Sequence, residues 1–434
     1  MTMRPITITL TGLAAGSLVL AAVAIPYAAQ SDPADDPATA PLPTFVDGAS
    51  DPAKSVVVRA DFASRTEATV ADAAVSIERA HSHVGDPPIM HLVLEDGDGG
   101  VIDTLNAWSP LWVFTFGDTE RLEVQESGSG SFIVPFSPEL AGMRVVDVAL
   151  DEEVLDVDLT GPIRDFCVAN PDDPDCLEAD LAVTAVSASG PLFTVVGDTA
   201  AVSVSSTVEN LGPDGPVDAE ATRSVTADPG LSVVPSDPTV TDVAGLAVGS
   251  PRDLDADYEI ECTEPGTHDV TFRTEIAPEL ATVVDAEAAN DALEETFSVD
   301  CAIPVKIDVQ PGSTRNPVRL NGGDLPVGVL TTGAGEYGLP YAFDATKIVV
   351  STVQFGSETA LLSGIGVGES HGRLHPTDVV EPKKGDGDLD AMLHFAPRRD
   401  SLLPTDAEAC VFGRFADGSG GTVAFLGCDV VDVR

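Results

Sequence analysis

Apolar and polar residues alternate along most of this chain in short runs, with little sign of a helical repeat. Alternation of this kind places successive side chains on opposite faces of a half-buried strand. Such runs occupy residues 55–60, 90–94, 112–116, 131–135 and 143–149, with turn-forming stretches such as Glu95-Asp96-Gly97-Asp98-Gly99-Gly100 between them. The same rhythm returns at 179–186, 201–212 and 268–272, and again from residue 305 onward. The pattern predicts an all-β chain of tandem β-sandwich modules of immunoglobulin-like type.

Two stretches break the alternation and set the boundaries. Arg4 precedes an uncharged apolar run over residues 6–25, followed by small residues including Ala22-Val23-Ala24. This reads as a signal peptide over residues 1–29, or as a membrane anchor helix if it is not cleaved. Residues 30–54 are rich in Pro, Asp and Ala and form a stiff polar linker. The remainder divides into an N-terminal β-module (55–166), a disulfide-closed hinge (167–178), a central sandwich (179–302) and a C-terminal module (303–434). The length of 434 residues suits roughly two to four domains.

Charge narrows the partners. Seventy-one acidic residues oppose 22 basic ones, five of them lysine, for a net charge of −49. A surface of that sign repels nucleic acid and anionic membranes, so contact with a membrane is expected only through an uncleaved N-terminus. The acids are dispersed, as on solvated folded domains, and fit either high-salt adaptation or bathing in divalent cations. Six cysteines fall into neighbouring pairs, Cys167 with Cys176, Cys262 with Cys301 and Cys410 with Cys428. The absence of any C-x-x-C spacing weakens a zinc or redox reading, and sequential disulfides in an exported protein are expected.

Candidate chemistry concentrates at Gly385-Asp386-Gly387-Asp388-Leu389-Asp390, which feeds an alternating strand through Leu389, Ala391, Leu393 and Phe395. Calcium takes several carboxylate oxygens from a flexible loop, and Asp386, Asp388 and Asp390 offer them. The entry Asp180-Leu181-Ala182-Val183, the stretch Val208-Glu209-Asn210-Leu211-Gly212 and Pro265-Gly266 ahead of Val270-Thr271-Phe272 resemble the CARDB family, a cell-adhesion-related bacterial sandwich, which implies an extracellular spacer or adhesion module. The segment Asn106-Ala107-Trp108-Ser109-Pro110-Leu111-Trp112 and the closing Asp165-Phe166-Cys167 resemble an uncharacterised domain of exported bacterial proteins, which implies no activity.

The C-terminal module is similar to a widespread bacterial extracellular module with an Ile-Asp-Val-Lys-Pro-Gly-Ser opening, an aspartate loop and a cysteine-closed hairpin. It is carried here by Ile307-Asp308-Val309-Gln310-Pro311-Gly312-Ser313, Phe343-Asp344-Ala345-Thr346, Val353-Gln354-Phe355-Gly356, Cys410 and Cys428. That pattern implies a further aspartate and an asparagine before the Asp-Gly. Here Lys384 takes the asparagine position and an insertion over residues 380–383 separates Asp378 from the loop. A lysine there repels a cation, which leaves two readings of the loop: calcium held by Asp386, Asp388 and Asp390, with Asp378 a fourth from across the insertion, or a solvated acidic turn. Extracellular calcium modules bind at about 10⁻⁴–10⁻³ M.

Other constellations are weaker. Gly368-Glu369-Ser370-His371-Gly372 has the letters of a nucleophile elbow, but Arg373-Leu374-His375-Pro376 lacks the helix that the chemistry requires. Glu369, His371 and His375 can be drawn as a metal trio, which Gly372 and Pro376 exclude from a helix. His81, His83 and His91 have no accompanying carboxylate or cysteine cluster. Trp108 and Trp112 read as core residues, or as a sugar-stacking platform. The chain is therefore expected to be a non-enzymatic secreted or cell-surface structural protein that meets a surface protein or polysaccharide, with a carbohydrate- or polymer-binding accessory protein as the alternative and a hydrolase a distant third.

Overall fold

A computed structural model describes residues 54–78, 89–115, 121–379, 386–418 and 420–434. The expected signal or anchor, nearly all of the linker, His81, His83, the 380–383 insertion and Lys384 lie outside the described residues. The described chain is all-β, built from sandwiches, with two short α-helices and three 3₁₀ turns.

In the first sandwich, Ser55–Ser64 lies between Glu67–Ser76 and Gly128–Pro135 in one antiparallel sheet. The second sheet runs in the order Val101–Ala107, Met90–Glu95, Gly142–Asp147, Glu152–Asp158. Alternation decides which faces meet: Val56, Val58, Ala60 and Phe62 from one sheet pack on Met90, Leu92, Met143 and Val145 from the other. Trp112 packs against this core, whereas Trp108 is 40% exposed, so the two tryptophans part company. His91, on the Met90–Glu95 strand, is half-buried. At one end of the sandwich the buried Asp147 accepts from Arg65 Nε and Nη2 at 2.7 and 2.9 Å and from the Ala149 and Leu150 amides. These partners outweigh burial and hold its carboxyl below the usual range.

A helix, Thr160–Ala169, closes the first sandwich where alternation predicted only module end and hinge. Ile163 enters the core, and Cys167 bridges to Cys176 at a Cα separation of 5.4 Å. The buried Lys54 ties this region to the start of the first strand: its Nζ meets Asp173 and Asp175 and lies 5.1 Å from the Phe136 ring centroid.

The central sandwich pairs the sheet Leu181–Ser189, Thr199–Asn210, Arg252–Cys262, Leu231–Val234 with the strands Thr239–Leu246, Val217–Ala227, Gly266–Pro278 and Ala292–Pro304. Two apolar clusters fill it, one around Val208, Ala219 and Ile276, the other around Val202, Tyr258, Ile260 and Phe272. The buried Ser206 and Thr274 hydroxyls, from opposite sheets, meet at 2.6 Å. Cys262–Cys301 joins the two sheets. Asn210 is fully buried and ties the turn after its strand: its Nδ2 donates to Asp214 O and Leu246 O, and its Oδ1 accepts from the Gly212 amide.

The Ala292–Pro304 strand crosses the boundary expected at residue 302. It pairs antiparallel with Gly266–Pro278 and, through Ile303 and Pro304, parallel with Thr422–Val430. One sheet therefore runs from the central sandwich through Thr422–Val430, Glu408–Ala416, Gln354–Gly356 and Val367–Gly368. Gly427 makes the crossing close: a Cβ there would stand 2.6 Å from Val305 O. The seam has its own small core, in which Phe193 stacks on Phe412 at 4.2 Å and packs beside Ala302 and Leu426. Arg414 pairs with Asp300 across it.

The second sheet of the C-terminal module runs Ile307–Val309, Leu325–Val329, Asp390–Phe395, His375–Thr377. Val327, Val329, Leu393, Phe395, Phe355 and Phe425 fill the space between its two sheets. Cys410 and Cys428 face each other across the closing hairpin and are bonded.

Asp291 in the central sandwich has a buried Oδ1 with no hydrogen bond among the described residues. Burial, with Asp285, Glu275, Asp180 and Glu287 around it, raises its pKa from 3.8 to about 6. Between those values the folded chain retains a proton that the unfolded chain has lost, so stability falls as pH rises through the window. Asp291→Asn is expected to melt at a higher temperature than the native chain at about pH 7 and to lose that advantage near pH 4. A melting series in which the two chains run parallel across this range contradicts the assignment.

Candidate metal centre

A single antiparallel pair organises both candidate sites. His375–Thr377 is an edge strand, where Pro376 costs no ladder bond, and it pairs with Asp390–Phe395 in the register His375↔Met392, Pro376↔Ala391, Thr377↔Asp390. Along Asp390–Phe395, Ala391, Leu393 and Phe395 point into the core and are fully buried. Leu389, expected on that face, is 57% exposed because the strand begins one residue later. Asp390, Met392 and His394 occupy the opposite face.

At the start of this strand the pairing brings Asp378 beside Asp390, and the loop brings Asp386. One carboxylate oxygen from each of the three lies within 4.8 Å of the others. Asp388 is not in this group; its amide donates to Asp386 Oδ1 at 2.9 Å, in a turn that Gly387 enters at φ +102°. Asp390 is 1% exposed and braces two segments: Oδ1 accepts from the Thr331 amide and Oδ2 from the Val379 amide, both at 2.8 Å. Burial pushes its carboxyl above the usual range against the two amides, and Asp386 and Asp378 push the same way. A carboxylate oxygen keeps a second lone pair after accepting one amide, so Asp390 can brace the loop and still face a cation.

Farther along the strand, the pairing brings His375 diagonally toward His394, and the turn after Val367–Gly368 adds His371. Nitrogens from all three lie within 4.8 Å of one another, with His371 Nδ1 and His375 Nε2 3.3 Å apart. His371 Nε2 is 3.3 Å from Asp324 Oδ2. Glu369, which can be drawn with His371 and His375 in the sequence, is not a member of this set. Its side chain is 1% exposed and organises the backbone instead. Oε2 accepts from the His371 amide at 2.7 Å and the Arg373 amide at 3.3 Å, and Oε1 from the His394 amide at 3.1 Å. Burial, then the proximity of His371 and His375, lowers the pKa of His394 and favours neutral imidazole.

His394 was missed in the sequence because its partners are distant in the chain and meet it only through strand pairing. Ser370 does not sit on a strand–turn–helix elbow: its amide donates to His394 O at 2.8 Å, and bends lead directly to the His375–Thr377 strand.

No family model matches this chain, and no curated protein matches it. Among solved structures, a CARDB domain from Pyrococcus furiosus in complex with di-metal ions is similar to it at 20% identity, covering 28% of this chain and 94% of its own, with a TM-score of 0.20. A glycosyl hydrolase family 2 member from Bacteroides cellulosilyticus aligns at 9% identity over 62% of this chain and 30% of its own, with a TM-score of 0.18. A 1.5-MDa bacterial ice-binding adhesin aligns at 13% identity over 83% of this chain and 89% of its own, with a TM-score of 0.16. Likenesses at these scores carry no argument about what this chain does.

Proposed function

We propose that this chain is a non-catalytic structural or adhesion-type protein of the extracellular space or cell surface, with a surface protein or polysaccharide as its partner. The observation that carries the reading is the Ala292–Pro304 strand, which serves the central and C-terminal sheets at once and is clamped to the opposite sheet by Cys262–Cys301. Continuous pairing across a module boundary resists separation of the two sandwiches, as a surface protein under load or protease attack requires. The disulfides suit an oxidising compartment. Brief protease treatment of intact host cells is expected to cleave this protein while a cytosolic marker survives, and loss of its gene is expected to reduce attachment. Protection equal to that of the marker rules the reading out.

Within this reading, Asp378, Asp386 and Asp390 hold a calcium ion that relieves their mutual repulsion. Calorimetry on the full chain should detect binding near millimolar calcium, with a rise in melting temperature that is absent from Asp378→Ala/Asp386→Ala. No heat from the native chain at about ten times that concentration removes calcium from the account.

The exposure of Trp108 favours a second reading, a carbohydrate- or polymer-binding accessory protein. Glycans that blue-shift its fluorescence and shield it from iodide would support that reading; unchanged quenching across a glycan panel would reject it.

A further inference from the structure

We propose that His371, His375 and His394 form a second metal site, built for a borderline divalent transition metal of the zinc class and not for calcium. Three imidazoles from two separate segments converge on one outward face of the sheet. Nitrogens bound to one tetrahedral ion at about 2.0–2.1 Å stand about 3.4 Å apart, and His371 Nδ1 and His375 Nε2 are already separated by 3.3 Å. A hydrogen bond between these two rings accounts for that pair but not for the third ring, whose centroid lies 4.6 Å from that of His371 and 5.3 Å from that of His375.

The surroundings match what imidazole ligands require. A metal-bound histidine commonly gives its other N–H to a carboxylate, which sets the tautomer and the ring orientation. With Nδ1 of His371 facing the cluster, its Nε2 meets Asp324 at 3.3 Å. The buried Nδ1 of His394 has no hydrogen-bond partner among the described residues and lies 3.9 Å from Glu369 Oε1. Glu369 also fixes the amides of His371 and His394, so one buried carboxylate holds both ligand-bearing segments in register. Neutral nitrogen ligands suit zinc, copper and nickel, whereas calcium takes oxygen. Three histidines leave a coordination position for water or a group from another molecule. The site is separate from the aspartate loop, since Asp390 and His394 lie about 13 Å apart along an extended strand.

The test is a cobalt(II) titration of the untagged full chain followed by visible absorption, with zinc as competitor. The native chain should develop the ligand-field bands of a nitrogen-bound ion at a single equivalent and lose them to zinc but not to excess calcium. Asp324→Ala should weaken binding about tenfold to a hundredfold, and His375→Ala and His394→Gln should weaken it further. Asp378→Ala/Asp386→Ala should bind cobalt as the native chain does, which separates this site from the calcium reading. His371→Ala, at an exposed turn, provides a ligand deletion that leaves the strands untouched. Absence of the bands in the native chain overturns the proposal. So does equal binding by histidine variants whose circular dichroism is native, or loss of the bands on removal of Asp378 and Asp386.

Discussion

Removing the inter-sheet disulfide as Cys262→Ala/Cys301→Ala is expected to destabilise the central sandwich by about 4 kcal/mol. The two cysteines are 39 residues apart in sequence, and cross-linking a loop of that size restricts the unfolded chain by this order. Both are fully buried beside Ile260, Val270 and Val299, so loss of the sulfur atoms also opens space in the core. The bridge holds Ala292–Pro304, the strand shared with the C-terminal sheet, so its loss should also loosen the seam at Phe193 and Phe412. Tyr258 packs on Phe272 at 4.9 Å inside this core, and a urea titration followed by near-ultraviolet dichroism should report the loss. A loss of less than about 1 kcal/mol, well under the range for native disulfides of small exported domains, would show that the strands hold without the clamp.

The second large effect is expected at Asp390. Asp390→Ala leaves the part-buried Thr331 amide and the buried Val379 amide without their acceptor, at about 1–3 kcal/mol each. The total expected loss is about 2–6 kcal/mol in calcium-free buffer, far above that for the exposed Asp386→Ala. Asn can replace only one of the two accepting oxygens, so Asp390→Asn should recover less than half of the loss. Chemical denaturation of the three chains decides the matter. Equal midpoints for Asp390→Ala and Asp386→Ala would mean that the amides find water or rearrange, and that Asp390 is no brace.

These two positions show how far the chain could be read from its residues. The alternation that places Ala391, Leu393 and Phe395 in the core was visible, as were the neighbouring cysteine pairs; of the aspartates read as one set, Asp378, Asp386 and Asp390 meet and Asp388 does not. Asp390's role as a brace was not visible, because its donors at Thr331 and Val379 become neighbours only when three segments meet. His394 was hidden for the same reason, and the role of Glu369 in fixing the His371 and His394 amides depends on a burial that the sequence does not display. The Thr160–Ala169 helix did leave local signals: Pro162 in its first turn, and Ile163, Phe166 and Cys167 at helical spacing. The shared strand left none. Nothing in the composition of Ala292–Pro304 distinguishes an edge strand from one that continues into the next module; the parallel pairing with Thr422–Val430 and the close approach at Gly427 appear only in the folded chain.

The central claim, an exported chain whose sandwiches are clamped by disulfides, is tested most directly on protein recovered from the surface fraction of its own host. Free thiols are blocked at harvest, and the chain is then digested and mapped without reduction. The account predicts bridged peptides joining Cys167 to Cys176, Cys262 to Cys301 and Cys410 to Cys428, with none of the six blocked. Recovery of the chain with all six cysteines blocked, in the cytosolic fraction, would contradict it.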